Sequence, residues 1–464
     1  MKVFDTIAAI ATPIGVGGIA IIRISGTDAE ECASNIVFPR CGKTISYIES
    51  HKLTLCEVRR KSDGVVLDEA LVAVMRAPHS YTGETVVEIN CHGGHLVAEA
   101  ILEELFRCGV RQAEPGEFTR RAFMNGKTDL LKAEAVIDLI HSNSELGQEN
   151  AAKTLSGKLS DKVNKIRDEA VEFAANLSAI ADYPDEIAEM PDAVLEEKPK
   201  TILAGIEELL GGFKKGRIMR DGVMTVIAGR PNVGKSSLLN AIARFERAIV
   251  TDIPGTTRDT VEEYVTVKGI ALRLIDTAGI RQSENSVEQI GIERAKENIN
   301  QAELCLFVLD ASGEITAEDL EIFGYTKGKN VIVILNKTDE AREIDIDYYA
   351  KVLHTDKVNI VLTATPKDSK PTGIDALEEK ISNLFMSGAV SKDDVFISND
   401  RQKDALIKAK NAVENMLSAI NDGMPNDMLY IDLEELVAAL GEVTGVTVQE
   451  EIIDKVFERF CVGK

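Results

Sequence analysis

Gly229-Arg230-Pro231-Asn232-Val233-Gly234-Lys235-Ser236-Ser237 is a phosphate-binding loop of the GxxxxGK[ST] type, and its reading decides the fold of the middle of the chain. The loop follows an apolar run, Val223 to Ala228, that predicts a buried strand, and precedes Leu238 to Ala243, which predicts the opening of a helix. Strand, loop and helix in that order are the context the motif requires; a plain glycine-rich turn is the competing reading. Gly229 and Gly234 let the backbone wrap phosphate groups with its N–H donors. Lys235 neutralises the β and γ oxygens, and the Ser236 hydroxyl suits a Mg²⁺ ion.

Further signals arrive in the order and spacing of a GTPase. Asp276-Thr277-Ala278-Gly279 ends a predicted strand, Leu272 to Ile275, which puts a carboxylate beside the metal and a glycine N–H at the γ-phosphate. Asn336-Lys337-Thr338-Asp339 ends another, Val331 to Leu335. The Asp339 carboxylate can accept from both N1–H and the N2 amino group of guanine, a donor pair that adenine lacks. Between the phosphate loop and Asp276 lies the polar loop Thr251-Asp252-Ile253-Pro254-Gly255-Thr256-Thr257-Arg258-Asp259, in which Thr257 is assigned to the Mg²⁺ shell. A Ser-Ala-Lys loop touching the base is the fifth expected element; Thr363-Ala364-Thr365 stands there instead, after the predicted strand Ile360 to Leu362. The position fits while the residues depart, which leaves main-chain contacts to the base.

Many GTPases place a glutamine after the DTAG signal to orient the attacking water. Ile280 cannot do this, so the catalytic group must come from elsewhere. Arg281 to Glu288 supplies polar candidates on a loop able to reorder when GTP is bound; a solvated switch loop is the plainer reading of any one of them.

At 464 residues the chain is long enough for about three domains. Residues 1–126 read as an α+β unit, with β-branched runs at Val65 to Met75 and Thr85 to Asn90 and helical periodicity at Leu96 to Phe106. Leu130, Leu131, Ala135, Val136, Leu139 and Ile140 recur at helical steps, so residues 127–220 predict a helical domain. The same character resumes over residues 389–464. The GTPase signals fall between, which predicts a G domain at 221–388 inserted into an all-α domain.

Composition bounds the rest. No apolar run approaches the roughly 20 residues of a membrane span, so no membrane role is expected. The apolar run after Asp5 is broken by Pro13 and glycines and reads poorly as a signal peptide. Seven cysteines without paired spacing suit a reducing, cytoplasmic setting, and the spacing of Cys91, His92, His95 and Cys108 matches no zinc pattern.

Together with Thr6-Ile7-Ala8-Ala9-Ile10-Ala11-Thr12-Pro13, Gly17 to Gly26 and Cys461-Val462-Gly463-Lys464, these signals resemble the tRNA modification GTPases of the MnmE (TrmE) family over essentially the whole chain. The resemblance implies a GTPase that acts with a flavin-containing partner, called MnmG or GidA, to place aminomethyl or carboxymethylaminomethyl groups on carbon 5 of the wobble uridine of certain tRNAs. FAD and NADH would belong to that partner. The resemblance also implies a homodimer, joined constantly through the amino-terminal units and transiently through the G domains. A K⁺ ion would replace an arginine finger, with Asn232, Thr251, Ile253 and Thr256 around it. Glu288 would orient the water, Arg281 would stabilise the switch, and Val233, Ser237, Lys337, Thr363 and Ala364 would complete the GTP-binding set.

The amino-terminal unit is similar to folate-binding domains of aminomethyl transferases. It is expected to hold 5,10-methylene- or 5-formyl-tetrahydrofolate through Arg23, Glu88 and Lys127, with Cys461 and Lys464 reaching towards the one-carbon group. Read without the resemblance, Arg23 and Glu88 are polar residues at sheet ends forming a structural ion pair, and Cys461 begins a frayed helical end. A CaaX tail is a poor reading because Lys464 suits neither usual prenyl transferase preference.

A net charge of −23 is awkward for a protein that acts on tRNA. A local basic patch, for instance Arg111, Arg120, Arg121 and Lys127, would reconcile the two, with much of the tRNA contact left to the partner; scattered surface charge is the alternative. A potassium-activated ribosome-assembly GTPase shares the G-domain signals but ordinarily appends an RNA-binding module, of which no GxxG KH-type or aromatic RRM-type pattern is seen here. A folate-sensing regulatory GTPase is the remaining alternative.

Overall fold

The structure is a computed structural model that describes residues 5–13, 15–183, 185–188, 190–245, 263–275, 296–366, 369–386, 391 and 393–464. The chain divides into two compact units. One comprises Met1–Ile137, Leu155–Met190 and Asn421–Lys464; the other comprises Asp138–Thr154 and Pro191–Ile420.

The first unit is built on a seven-stranded sheet. Its strands are β1 (Ile7–Ile10), β2 (Ile19–Ser25), β3 (Val37–Pro39), β4 (Thr54–Arg59), β5 (Val66–Met75), β6 (Val86–His92) and β7 (Arg111–Gln112), in the order β3-β4-β5-β6-β2-β1-β7. All neighbours are antiparallel except β1 and β7. Side chains alternate between the faces. Ala20, Ile22 and Ile24 of β2 and Val87, Ile89 and Cys91 of β6 enter one core with Ala98, Ile101 and Leu105 of helix His95–Arg107. On β1, Ala8 joins that core, whereas Ile7 and Ala9 bury against Phe118 and Ala113 in a second cluster. Arg23 pairs with Ala9 across β1 and β2 and with Glu88 across β2 and β6, so both polar residues sit in mid-strand. The expectation of sheet-end positions is thereby corrected: the β period of two places a charged pair inside the sheet because one face is only thinly covered.

Helix Lys158–Asp182 of the same unit packs along helix Asn426–Thr444. Leu159, Val163, Ala170, Phe173 and Leu177 on one, and Leu429, Leu433, Leu436, Leu440 and Val443 on the other, are buried at three-, four- and seven-residue steps. Helix Glu450–Phe457 buries Ile453, Val456 and Phe457 against Leu130 and Ala133.

The second unit holds a six-stranded sheet of β8 (Val223–Ala228), β9 (Glu263–Val267), β10 (Ile270–Leu274), β11 (Leu304–Asp310), β12 (Asn330–Asn336) and β13 (Ile360–Leu362). The order is β13-β12-β11-β8-β10-β9, parallel throughout except for β9 against β10. The parallel strands are near-continuous apolar runs because both faces are covered, one core on each side. Helical segments also belong here: the Asn150 side chain donates to the Phe396 carbonyl at 3.1 Å and accepts from the Phe396 N–H at 2.9 Å. Among the described residues, no helix is long and apolar enough to cross a membrane.

Candidate nucleotide site and a second polar site

The phosphate loop leaves the end of β8 and enters helix Lys235–Phe245. Gly229 and Gly234 both take positive φ, +143° and +100°. A Cβ on Gly229 would strike the Val308 carbonyl and one on Gly234 the Asn336 amide, so the loop closes only with glycine at both positions. Asn232 also takes a positive φ, +65°, which asparagine tolerates better than most residues. The Lys235 ammonium donates to the carbonyls of Gly229 and Arg230, at 2.7 and 2.8 Å. Burial lowers its pKa, and an anion in the loop would supply the counter-charge that two neutral carbonyls do not. Ser236 and Ser237 lie in the first turn of the helix, where the backbone dipole favours phosphate. The residues fit a nucleotide with its Mg²⁺.

The base-recognition segment is tied to this loop. Asn336 ends β12, fully buried, and its amide nitrogen donates to the Val233 carbonyl at 3.0 Å. Its amide oxygen accepts from the Thr363 hydroxyl at 3.0 Å and from the Thr365 hydroxyl at 3.3 Å. Lys337, at φ +61°, donates to Asp310 at 2.6 Å, and Asp310 stands opposite Asn336 in the β11–β12 register. Burial works against the Asp310 charge, but hydrogen bonds from Lys337 and Ser312 outweigh it and hold the carboxyl below its ordinary value. Asp339 is exposed. The Ala364 N–H donates to the Thr372 carbonyl at 3.1 Å, so a base oxygen would have to displace that bond. Asp310 lies outside the motif reading, although a polar residue closing an apolar strand was an available signal, and Thr365 enters that reading only as a departure from Ser-Ala-Lys, without its bond to Asn336. Thr251, Ile253, Thr256, Thr257, Asp276, Gly279, Arg281 and Glu288 lie outside the described residues.

A second polar site lies on the thinly covered face of the first sheet. Arg23 Nε meets Glu88 Oε1 at 2.8 Å, and the Arg23 guanidinium lies 5.5 Å from the Tyr81 ring centroid and 5.7 Å from that of Phe118. Arg23 Nη1 also donates to the Gly463 carbonyl at 3.3 Å. The Cys461–Lys464 segment is fastened there through its main chain: the Gly116 N–H donates to the Cys461 carbonyl at 3.4 Å and the Phe118 N–H to the Lys464 carbonyl at 3.2 Å. Pro115 and Val462 form an isolated bridge. The reading of Cys461 as part of a frayed end is therefore corrected; the segment is held by backbone hydrogen bonds, with the Cys461 side chain exposed. Lys127 is exposed with its stem over Gly83 and, among the described residues, is not joined to Arg23 or Glu88.

Three of the four cations expected to form a basic patch are paired with carboxylates; Lys127 stays exposed. Arg121 is buried, with Asp5 at 3.0 Å, Glu84 at 3.2 Å and Glu117 at 2.8 Å. Arg111 pairs with Asp5 and Glu117, each at 2.6 Å, and Arg120 with Asp454 at 2.8 Å. Converging carboxylates neutralise these cations. The Cys91 and His92 group is ordinary too: burial pushes the Cys91 thiol up to about 11, His92 pairs with Asp68 and His95 with Glu99. Among the described residues no cluster of His, Cys, Asp and Glu could hold a metal ion.

A family profile described as "MnmE helical domain" matches residues 130–461, a span that encloses the phosphate loop, and one described as "GTP-binding protein TrmE N-terminus" matches residues 6–127. The tRNA modification GTPase MnmE of Thermoanaerobacter pseudethanolicus is 46% identical over 464 residues, covering 100% of both chains. Its namesake from Geobacillus thermodenitrificans is 46% identical over 467 residues, again covering 100% of each. That from Bacillus subtilis is 45% identical over 463 residues, covering 99% of this chain and 100% of its own. With a glycine-closed phosphate loop tied to a guanine-type NKxD segment, and with this likeness running the full length, the chain belongs to the MnmE family of tRNA modification GTPases.

Proposed function

We propose that this chain is a potassium-dependent, cytoplasmic GTPase that works as a homodimer with an MnmG/GidA-like flavoprotein. Together they install an aminomethyl or carboxymethylaminomethyl group at C5 of the wobble uridine of certain tRNAs. The nucleotide half rests on the phosphate loop: Lys235 faces the phosphates, Ser236 and Thr257 would hold Mg²⁺, and Asp339 would read guanine. Asn232, Thr251, Ile253 and Thr256 would hold K⁺, whose fixed charge would stabilise the anion that grows between the β and γ phosphates. Glu288 orients the water in this reading and Arg281 steadies the switch. GTP hydrolysis transfers nothing to the base; it supplies the difference in contacts that a conformational switch needs.

The observation that carries the one-carbon half is the seating of Cys461–Lys464 beside Arg23, which is itself paired with Glu88. The segment that carries Cys461 and Lys464 thus docks through its main chain beside a carboxylate–guanidinium pair. Glu88 would accept from the pterin amino and N3–H groups, while Arg23, Lys127 and Lys464 would meet folate oxygens. The reduced folate, as its 5,10-methylene or 5-formyl form, would supply the one-carbon unit; FAD and NADH stay with the partner.

The test is Cys461→Ser in cells that lack the native chain. Lost wobble modification with unchanged GTP turnover supports the reading, whereas full modification removes the thiol from the chemistry. GTP turnover that is equal in Na⁺ and K⁺ would remove the potassium role.

A further inference from the structure

We infer that Thr365 is a positioning residue for guanine recognition, which acts by fixing the orientation of the Asn336 side-chain amide. Three hydrogen bonds converge on that buried amide. Its oxygen accepts from Thr363 at 3.0 Å and Thr365 at 3.3 Å, and its nitrogen donates to the Val233 carbonyl at 3.0 Å. The arrangement has one sense only. Turning the amide over would set its oxygen against the Val233 carbonyl and its NH₂ donors against two hydroxyls, and a buried acceptor facing an acceptor is costly. One amide hydrogen remains uncommitted by these bonds, and an NH₂ held in this sense presents it as a donor. Guanine offers a matching acceptor at N7. The Asn336 nitrogen lies where a Cβ on Gly234 would fall, so the base donor and the phosphate loop are one packed unit.

Thr363 alone does not complete this. It is fully buried, whereas Thr365 is half-buried and on the open side of the pair, next to Ala364. A lysine at residue 365 could cover the base with its stem but could not close the second bond to the amide oxygen from the same short reach. Thr365 therefore exchanges a stacking stem for an orienting hydroxyl.

The test is the binding of GDP and of 7-deaza-GDP, which lacks the N7 acceptor, to the full chain and to Thr365→Val, Thr365→Ala and Thr365→Ser. In the native chain the 7-deaza ligand should bind about tenfold more weakly, the scale of one neutral hydrogen bond. Thr365→Val, which keeps the shape and loses the hydroxyl, should weaken GDP about three- to tenfold and cut the 7-deaza penalty to less than about threefold. Thr365→Ser should restore both values. Native GDP affinity in Thr365→Val, or an equal loss for both ligands with the penalty intact, overturns the inference, because a merely structural role lowers both alike. If Thr365→Val does not fold, Thr365→Ala is judged by the same two numbers.

Discussion

Arg23, on the second strand of the amino-terminal sheet, donates from Nη1 to the carbonyl of Gly463 at 3.3 Å, a link between residues 440 positions apart. One side chain thus joins Glu88 to the segment that carries Cys461. Gly463 adopts φ +99° there, and a Cβ on it would run into the Ile10 carbonyl.

Gly463→Ala should therefore unseat the segment, at a cost of about 1–3 kcal/mol in local stability. Hydrogen exchange reads this directly: the Gly116 and Phe118 amides, whose acceptors are the Cys461 and Lys464 carbonyls, should exchange at least about tenfold faster. GTP turnover should be unchanged. Native protection at both amides would show that the docking does not depend on that glycine.

The ion pairs around Arg111 make the first unit acid-sensitive. The Arg111 hydrogen bond holds the Asp5 carboxyl below its ordinary 3.8. Glu117, whose burial acts the other way, is held below its ordinary 4.5 by bonds from Arg111, the Glu114 N–H and Arg121. Both folded values are depressed, so this stability is present in full above about pH 5.5 and is lost as pH falls through the ordinary values toward the folded ones. Arg111→Gln should lower stability at neutral pH and flatten its dependence between about pH 5 and pH 3. Urea midpoints across that range would check it; an unchanged slope would mean that the pairs contribute nothing.

Asp339→Asn should exchange one purine for another. The carboxylate is suited to accept from N1–H and N2 with its two oxygens; an amide has an NH₂ donor in place of one of them, which opposes the guanine N–H groups but can donate to the C2 carbonyl of xanthine. GTP affinity should fall at least about a hundredfold, from two lost charge-assisted bonds, and xanthosine triphosphate should gain. Filter binding of both nucleotides decides it, and retained GTP affinity would place base reading elsewhere.

Much of this was legible in the sequence, for reasons that differ by element. β8 runs over Val223–Ala228 as its apolar run predicts, since a parallel strand covered on both faces needs little else to specify it. Helix His95–Arg107 and β5 and β6 fall within a residue or two of the periodic runs that announced them. β9 went unread because Glu263–Val267 mixes polar and apolar residues at the sheet edge. The sites were legible wherever the chemistry is local, as in the phosphate loop. They were not where it depends on pairing across the fold: nothing near Arg121 foretells that Asp5, Glu84 and Glu117 converge on it and bury a cation expected at the surface. The partner of the Thr365 hydroxyl was hidden for the same reason, because the loop motif does not show that it meets Asn336.

The catalytic water is a separate question from nucleotide binding. Glu288→Ala should leave GTP affinity within about twofold and slow single-turnover hydrolysis at least about a hundredfold, the scale of a lost general base or water-orienting group. Unchanged hydrolysis would remove Glu288 from the mechanism.

The most direct measurement is mass spectrometry of tRNA nucleosides from cells without this chain, before and after its restoration. The account predicts that 5-aminomethyl-type wobble uridines disappear and return with the native chain. Nucleosides that do not change on its removal would contradict the tRNA-modifying role.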